Sequence, residues 1–259
     1  MKRAKRLIRW LLGAVPGGPT LIQRRDERKG YAATAHRLSS IGSTDGIFLH
    51  HYQTNEWGSV ESASGPGSTM AYTQNIRAHI PALVSDFNVK VFLDAPCGDF
   101  NWFQHVALQN DVSYVGGDIV EPLILENQRK YGNAVRSFKR LDIIQDDLPA
   151  ADIWMCRDCL FHLSNDDALA AIHNFLRSEI RYFLTTTHPD CERNADIPTG
   201  SFRQLNLRKP PFSFGEPLRL MDDWIEGFPK RQLGLWERTK LMQALAGNKT
   251  LRRMARRLS

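Results

Sequence analysis

Neither G-x-G-x-x-G nor G-x-x-x-x-G-K-[ST] occurs in the 259 residues, so no glycine-rich loop is marked to cradle a pyrophosphate or a triphosphate. Cysteine is scarce, with only Cys97, Cys156, Cys159 and Cys191. The single C-x-x-C at 156–159 has no second pair to complete a tetrahedral zinc set. Free, reduced thiols in a cytoplasmic protein are the expectation, with no metal. No stretch approaches the roughly 18 apolar residues of a membrane-spanning helix, and there is neither an internal repeat nor a low-complexity segment.

Positive charge is missing where a nucleic-acid groove would need it. The formal net charge is +6, yet residues 1–30 carry +7 and residues 248–259 carry +5, so 31–247 carries −6. Phosphate backbones are bound by cations spread over the contact face, and an acidic body with basic ends does not supply them. The ends suit an anionic membrane surface instead. "MKRAKRLIRWLLGAV" sets Leu7, Ile8, Trp10, Leu11 and Leu12 among basic residues, and "LRRMARRLS" alternates apolar residues with Arg, as in a peripheral contact. Arg9 interrupts the first apolar run, which argues against a cleaved signal peptide. The expected organisation is a basic segment over 1–30, a cap and lead-in helix over 31–88, one domain over 89–240 and a basic tail over 241–259. Such a chain would be cytoplasmic, touching the inner face of the membrane through its ends.

From residue 89 onward, short apolar β-rich runs alternate with helical patterns. "VKVFLDA" (89–95), "VSYVGGDI" (112–119), "DIWMC" (152–156) and "RYFLTTT" (181–187) read as strands, "RSFKRLD" (136–142) as a weaker one and "QLGLWE" (232–237) as the last. Helices are expected over 101–110, 121–132 and 164–179, and over 73–87 ahead of the first strand. The 164–179 segment is the clearest, with Ser164 as N-cap candidate and Ala168, Ile172, Phe175 and Leu176 at helical spacing. Continuous apolar strands alternating with helices imply an α/β fold, a doubly wound and mostly parallel sheet. Residues 188–217 are irregular and rich in Pro, Asn and Arg, an insertion of the length that is usually functional or disordered.

Ligands of such a sheet bind at the carboxyl ends of its strands. The first strand ends in "DAPCGDFNW" (94–102), where Gly98 permits close backbone approach and a helix starting near Asn101 would offer free N–H groups. The second ends in Asp118, twenty residues after Gly98, the spacing at which an acid reaches a ribose diol. The third ends in Asp142, and the fourth runs into "CRDCLFH". Two carboxylates at successive strand ends, without a phosphate cradle, suit a nucleoside that carries no phosphates.

At "FLDAPCGDFNW", "YVGGDIV", "LDI" and "DIWMCRDCLFHLS", in this order and spacing, the chain resembles the class I S-adenosylmethionine-dependent methyltransferases over about residues 89–240. The resemblance implies a Rossmann-like, seven-stranded sheet with its last strand antiparallel, and S-adenosylmethionine as cofactor. Asp118 would then meet the ribose, Asp142 the adenine side and the 94–99 turn the methionine portion. The implied cofactor set is Trp57, Asp94, Cys97, Gly98, Asp99, Trp102, Asp118, Ile119, Asp142, Ile143 and Arg157. Pro96 and Phe100 stand where the family often has Gly.

The segment "WGSVESASGPGST" (57–69) would cover the methionine end. There Trp57 would face the sulfonium, since aromatic faces attract cations, and Ser and Gly amides would meet the carboxylate. The same segment resembles the lead-in of a bacterial methyltransferase subgroup associated with surface-glycan biosynthesis, implying a small-molecule or glycan-linked acceptor. Asp158 and His162 lie four apart, hence on one face if helical, and a His oriented by a carboxylate can deprotonate a hydroxyl. His188, after the fifth strand, is the other base candidate. Quinone O-methyltransferases have similar acid-and-His segments, some with a divalent metal, but Phe161 replaces their second acid, so no metal is expected. Asn194, Asp196 and Arg203 would border the acceptor. Nucleic-acid methylation is the alternative enzyme reading; "KPPF" (209–212) is similar to an amino-methylation motif but begins with Lys and lies after the fifth strand. A non-catalytic S-adenosylmethionine-binding protein is the alternative from another class.

Overall fold

The structure, a computed structural model, describes residues 37–38 and 40–258. The expected basic segment over 1–30 lies outside the described residues. The chain divides into two units, 1–43 and 44–259. In the first, residues 37–38 are helical and the Ile41 N–H donates to the Leu38 carbonyl.

In the second unit seven strands form one sheet. They are β1 (Val91–Asp94), β2 (Ser113–Asp118), β3 (Arg136–Arg140), β4 (Ile153–Cys156), β5 (Tyr182–Thr187), β6 (Arg219–Asp222) and β7 (Gln232–Glu237), in the order β3-β2-β1-β4-β5-β7-β6. Strand β7 is antiparallel to both neighbours, and the remaining pairs are parallel. The helices are α1 (Thr44–Thr54), α2 (Gln74–Asp86), α3 (Glu121–Tyr131), α4 (Asn165–Arg177), α5 (Arg238–Leu245) and α6 (Lys249–Leu258).

Alternation along the buried strands feeds two apolar layers. Leu93, Trp154, Phe183 and Trp236 enter one with Ile172 and Phe175 of α4, while Phe92, Ile153, Met155 and Leu184 enter the other with Ile76, Ile80 and Leu83 of α2. Helix α4 starts as its sequence predicts. Ser164 Oγ accepts from the Asp167 N–H at 3.1 Å, and Asp166 and Asp167 at its start and Arg177 at its end complement the helix dipole. Each buried Ile or Phe on its inner face contributes about 1.5–3 kcal/mol.

Two expectations are corrected, and one strand had no expectation. Residues 101–110 form only a short 3-10 turn at Phe103–His105: Trp102, Phe103 and Val106 are buried without a helix, and the polar residues after them have no apolar face that would offset helix nucleation. The segment set apart as a tail packs onto the domain, since Leu241, Leu245 and Leu251 belong to the core. Strand β6 has no clear sequence signature, because it is an edge strand with only Met221 buried. Among the described residues no helix is long and apolar enough to cross a membrane.

Phe100 occupies the left-handed region, with φ of 57°, the conformation that the family's glycine would adopt without strain. Its ring is buried among Tyr114, Phe138, Tyr131 and Phe103, with centroids 5.0 to 5.9 Å away. The left-handed backbone costs about 1–2 kcal/mol, whereas deleting a buried Phe costs about 3–5 kcal/mol. Phe100→Gly is therefore expected to lower the free energy of urea unfolding. An increase would mean that backbone strain outweighs the packing.

Candidate functional site

The chain order reverses between β1 and β4, and at the carboxyl ends around this switch point lies a cavity of about 290 Å³. Its lining includes the predicted Trp57, Asp94, Cys97, Gly98, Trp102 and Asp118. It also includes Ile119, Asp142, Ile143, Arg157, Asp158 and His162. Asp99 and His188 are not part of the lining.

The turn after β1 is tied to β2. The Gly98 N–H donates to Asp118 Oδ2 at 3.1 Å and the Val120 N–H to Asp118 Oδ1 at 3.0 Å. Gly98 has φ of 55°, and a Cβ there would collide with the Ser64 side chain, so a glycine suits the close approach of the 57–69 segment. Burial pushes the Asp118 carboxyl up to about 6, with the Val120 and Gly98 amides opposing the rise. Asp94, also buried, accepts from the Tyr114 hydroxyl at 2.8 Å. Burial pushes it up to about 8 despite that bond and the nearby Arg157 guanidinium. Asp142 accepts the Ile144 N–H at 2.9 Å and is likewise raised by burial. Beside these acids Ile119, Leu123, Leu141 and Ile143 give the cavity an apolar wall.

The 57–69 segment is fastened to the 99–101 turn. Asp99 accepts from Ser62 Oγ, the Ala63 N–H and Ser64 Oγ at 2.8 to 3.2 Å. Glu61 Oε1 accepts from the Met70 N–H and from Asn101 Nδ2. The Ala63 amide is thus engaged by Asp99. Trp57 lies against His162, with ring centroids 4.4 Å apart.

Arg157 is the only cation lining the cavity among the described residues, and it is fully engaged. Its Nε and Nη2 reach the two oxygens of buried Asp223 at 2.8 and 2.9 Å, and Nη2 also donates to the Gly67 carbonyl at 2.7 Å. Asp158 Oδ2 takes Arg231 Nη2 at 2.7 Å and Arg157 Nη1 at 3.4 Å. Burial alone would raise the Asp158 carboxyl, but the two guanidiniums outweigh it and hold it below its ordinary range. Asp223 and Arg231 escaped the sequence reading, since nothing local marks residues so far along the chain as the partners of Arg157 and Asp158 respectively.

The expected Asp158–His162 pair is corrected. Leu160–His162 form a 3-10 turn rather than an α-helix, and Asp158 has φ of 52°, so there is no shared helical face; both line the cavity and Asp158 acts on the imidazole through its charge alone. His162 Nδ1 instead donates to the Ser201 carbonyl at 2.8 Å, which leaves Nε2 as the acceptor nitrogen of the ring. Burial pushes the imidazole down to about 4, so it is neutral at pH 7. His188 is buried with its Nδ1 accepting the Leu205 N–H at 3.2 Å. Arg203 meets Asn165 and the Leu163 carbonyl, Asn194 meets Asn206, and Asp196 receives the Asn165 N–H, so these three brace the insertion. Phe202, 55% exposed, lines the cavity.

Four cavity acids, Asp94, Asp118, Asp142 and Asp158, face one neutralised arginine. Removing one member of a buried bidentate pair strands its partner, at a cost of about 3–5 kcal/mol. Asp223→Ala is expected to lose that much in urea unfolding, and the double variant Asp223→Leu with Arg157→Met to lose less. Equal losses would show that the pair is not what holds the β6–β7 hairpin to β4.

No protein-family model matches the chain, and neither does any curated protein. Solved structures do. Magnesium protoporphyrin IX methyltransferase from Synechocystis PCC 6803, with bound S-adenosylmethionine, is 18% identical over 74% of this chain and 96% of its own, with a TM-score of 0.51. The N-methyltransferase NodS from Bradyrhizobium japonicum WM9 is 13% identical over 64% and 96%, with a TM-score of 0.50. Human N-acetylserotonin methyltransferase, in complex with S-adenosylmethionine, is 11% identical over 80% and 66%, with a TM-score of 0.51. The likeness is one of fold: the chain has the Rossmann-like, seven-stranded architecture of these methyltransferases.

Proposed function

We propose that the chain binds S-adenosylmethionine in this cavity and transfers its methyl group to a hydroxyl of a small-molecule or glycan-linked acceptor. The observation that carries the reading is the donor set: buried carboxylates at the ends of β1 and β2, a third after β3, an apolar wall beside them and no unengaged cation among the described lining residues. This arrangement suits a cationic nucleoside and repels a polyanionic one. Asp118, held by the Gly98 and Val120 amides, accepts the ribose hydroxyls. Asp142, Ile119 and Ile143 hold the adenine, while the 94–98 turn and Trp57 flank the methionine portion. Arg157 acts as a brace between β4, Asp223 and the Gly67 carbonyl, rather than as a ligand contact.

When bound, the cofactor supplies an electrophilic methyl, the oxygen–carbon bond forming as the sulfur–carbon bond breaks and leaves its electron pair on a neutral thioether. His162 receives the acceptor proton at Nε2, its ring fixed by the Ser201 carbonyl. Positioning by Trp57, Phe161 and Phe202 contributes the remainder, because an aligned pair of reactants is already past much of the entropic barrier. His188, held inside the fold by Leu205, is structural in this reading. A peripheral contact with an anionic membrane is supported by the basic ends and by exposed Arg252 and Arg253 on α6.

Only ionised Asp118 accepts two hydroxyl protons, and its carboxyl sits at about 6. Affinity for S-adenosylhomocysteine is thus expected to be full above that pH and to fall as the pH drops through it. Asp118→Asn should bind about 10–100-fold more weakly, as for loss of hydrogen bonds to a charged group, with a flatter pH profile; calorimetry at pH 5 to 8 checks both. For the base, His162→Gln should cut turnover on the order of 10²–10⁴-fold at unchanged cofactor affinity, and His188→Gln should leave turnover nearly intact. Normal rates in His162→Gln would remove it from the chemistry.

A further inference from the structure

The acceptor end of the cavity differs in chemistry from the end with the strand acids. Thr44, Phe48 and Tyr52 recur every four residues along one face of α1, and all three line the cavity. Trp57 and Phe202 line it as well, with His162 between them: its ring centroid is 4.4 Å from Trp57 and 5.9 Å from Phe202. The Phe161 ring also lies 4.4 Å from the imidazole. We propose that the acceptor is an uncharged planar aromatic molecule with a ring hydroxyl, seated between the α1 face and Phe202 with its oxygen at His162 Nε2. This rests on the methyl-transfer reading and narrows its substrate class.

Three features of the site favour this class. Charge disfavours phosphorylated or carboxylated acceptors, because Arg157, the lining cation among the described residues, is committed to Asp223, Asp158 and Gly67 while the Asp118, Asp142 and Asp158 carboxylates share the cavity. Polarity disfavours a sugar ring. Each of its several hydroxyls needs a partner once water is displaced; near His162 the Asp158 carboxylate is already taken by Arg157 and Arg231, which leaves Thr44, Tyr52 and His162 itself beside the aromatic rings. Acidity favours a phenol over an aliphatic alcohol. Burial leaves His162 a weak proton acceptor, near 4, which deprotonates a phenol of pKa about 10 far more readily than an aliphatic hydroxyl close to water at about 15.7. Phe202 is the exposed ring of the set, placed to stack on an incoming flat molecule in an offset or edge-on geometry.

The test uses 2-naphthol as probe and the full chain loaded with S-adenosylhomocysteine, followed by quenching of tryptophan fluorescence. Expected are saturable binding, at least tenfold weaker binding in Phe202→Ala, and near-normal binding in Phe202→Tyr. 2-Naphthyl phosphate should bind at least tenfold more weakly than 2-naphthol, and methyl glucoside should not displace it. The proposal is overturned if 2-naphthol fails to saturate a protein that binds S-adenosylhomocysteine normally, if the phosphate binds as tightly, if the glucoside displaces the probe, or if Phe202→Ala binds as wild type does. Failure to bind S-adenosylhomocysteine at all, seen before naphthol is added, sinks the underlying methyl-transfer reading and this one with it.

Discussion

Two arginines and two aspartates, buried together where β4 meets the β6–β7 hairpin, decide what the cavity is able to hold. Arg157 grips Asp223 with two nitrogens, Arg231 grips Asp158, and Arg157 bridges to Asp158 and to the Gly67 carbonyl. Desolvating four charges is costly, and such a group persists only where geometry and extra hydrogen bonds compensate. Here they do: Thr186 donates to Asp158, and the Arg231 Nε donates to the Asp223 carbonyl. The guanidiniums also lie over aromatic rings, Arg157 5.1 Å from Trp102 and Arg231 4.3 Å from Tyr72. The network fixes the hairpin, the end of β4 and the 66–68 turn to one another, and these elements surround the cavity.

Its chemical consequence follows from what it takes away. With Arg157 committed, the cavity presents Asp94, Asp118 and Asp142 without an ion pair of their own among the cavity-lining residues described. Burial then lifts Asp94 to about 8 and Asp118 to about 6, well above ordinary carboxylates. Carboxyls in this state favour a ligand that brings positive charge or hydroxyl donors and disfavour one that brings phosphates. The missing glycine-rich phosphate loop in the sequence and the committed arginine in the structure therefore argue for the same ligand from different evidence.

Much of the fold was legible because strands such as Ile153–Cys156 and Tyr182–Thr187 are buried along their whole length and read as short runs of apolar and β-branched residues. The acids were legible because each sits at a strand end, a position fixed by topology rather than by side-chain packing. What escaped depends on contacts distant in sequence or on local backbone shape. Asp223 and Arg231 have no meaning until antiparallel β7 carries them back to β4. The spacing of Asp158 and His162 suggested a shared helical face, but the chain turns at a left-handed Asp158 and hands the orientation of His162 to Ser201. The Trp57–Thr69 segment is more than a linker, but its Ser62, Ala63 and Ser64 groups bind Asp99, so it is a clasp on the turn after β1.

The claim on which the rest stands is that the committed arginine leaves a cavity selective for a cationic nucleoside over nucleotides. Calorimetric titration of the purified chain with S-adenosylmethionine, ATP and NAD at pH 7.5 measures this directly. Saturable binding of S-adenosylmethionine, with no heat of binding for ATP or NAD in the same concentration range, is the expected result. Binding of ATP or NAD as tight as that of S-adenosylmethionine would contradict the account.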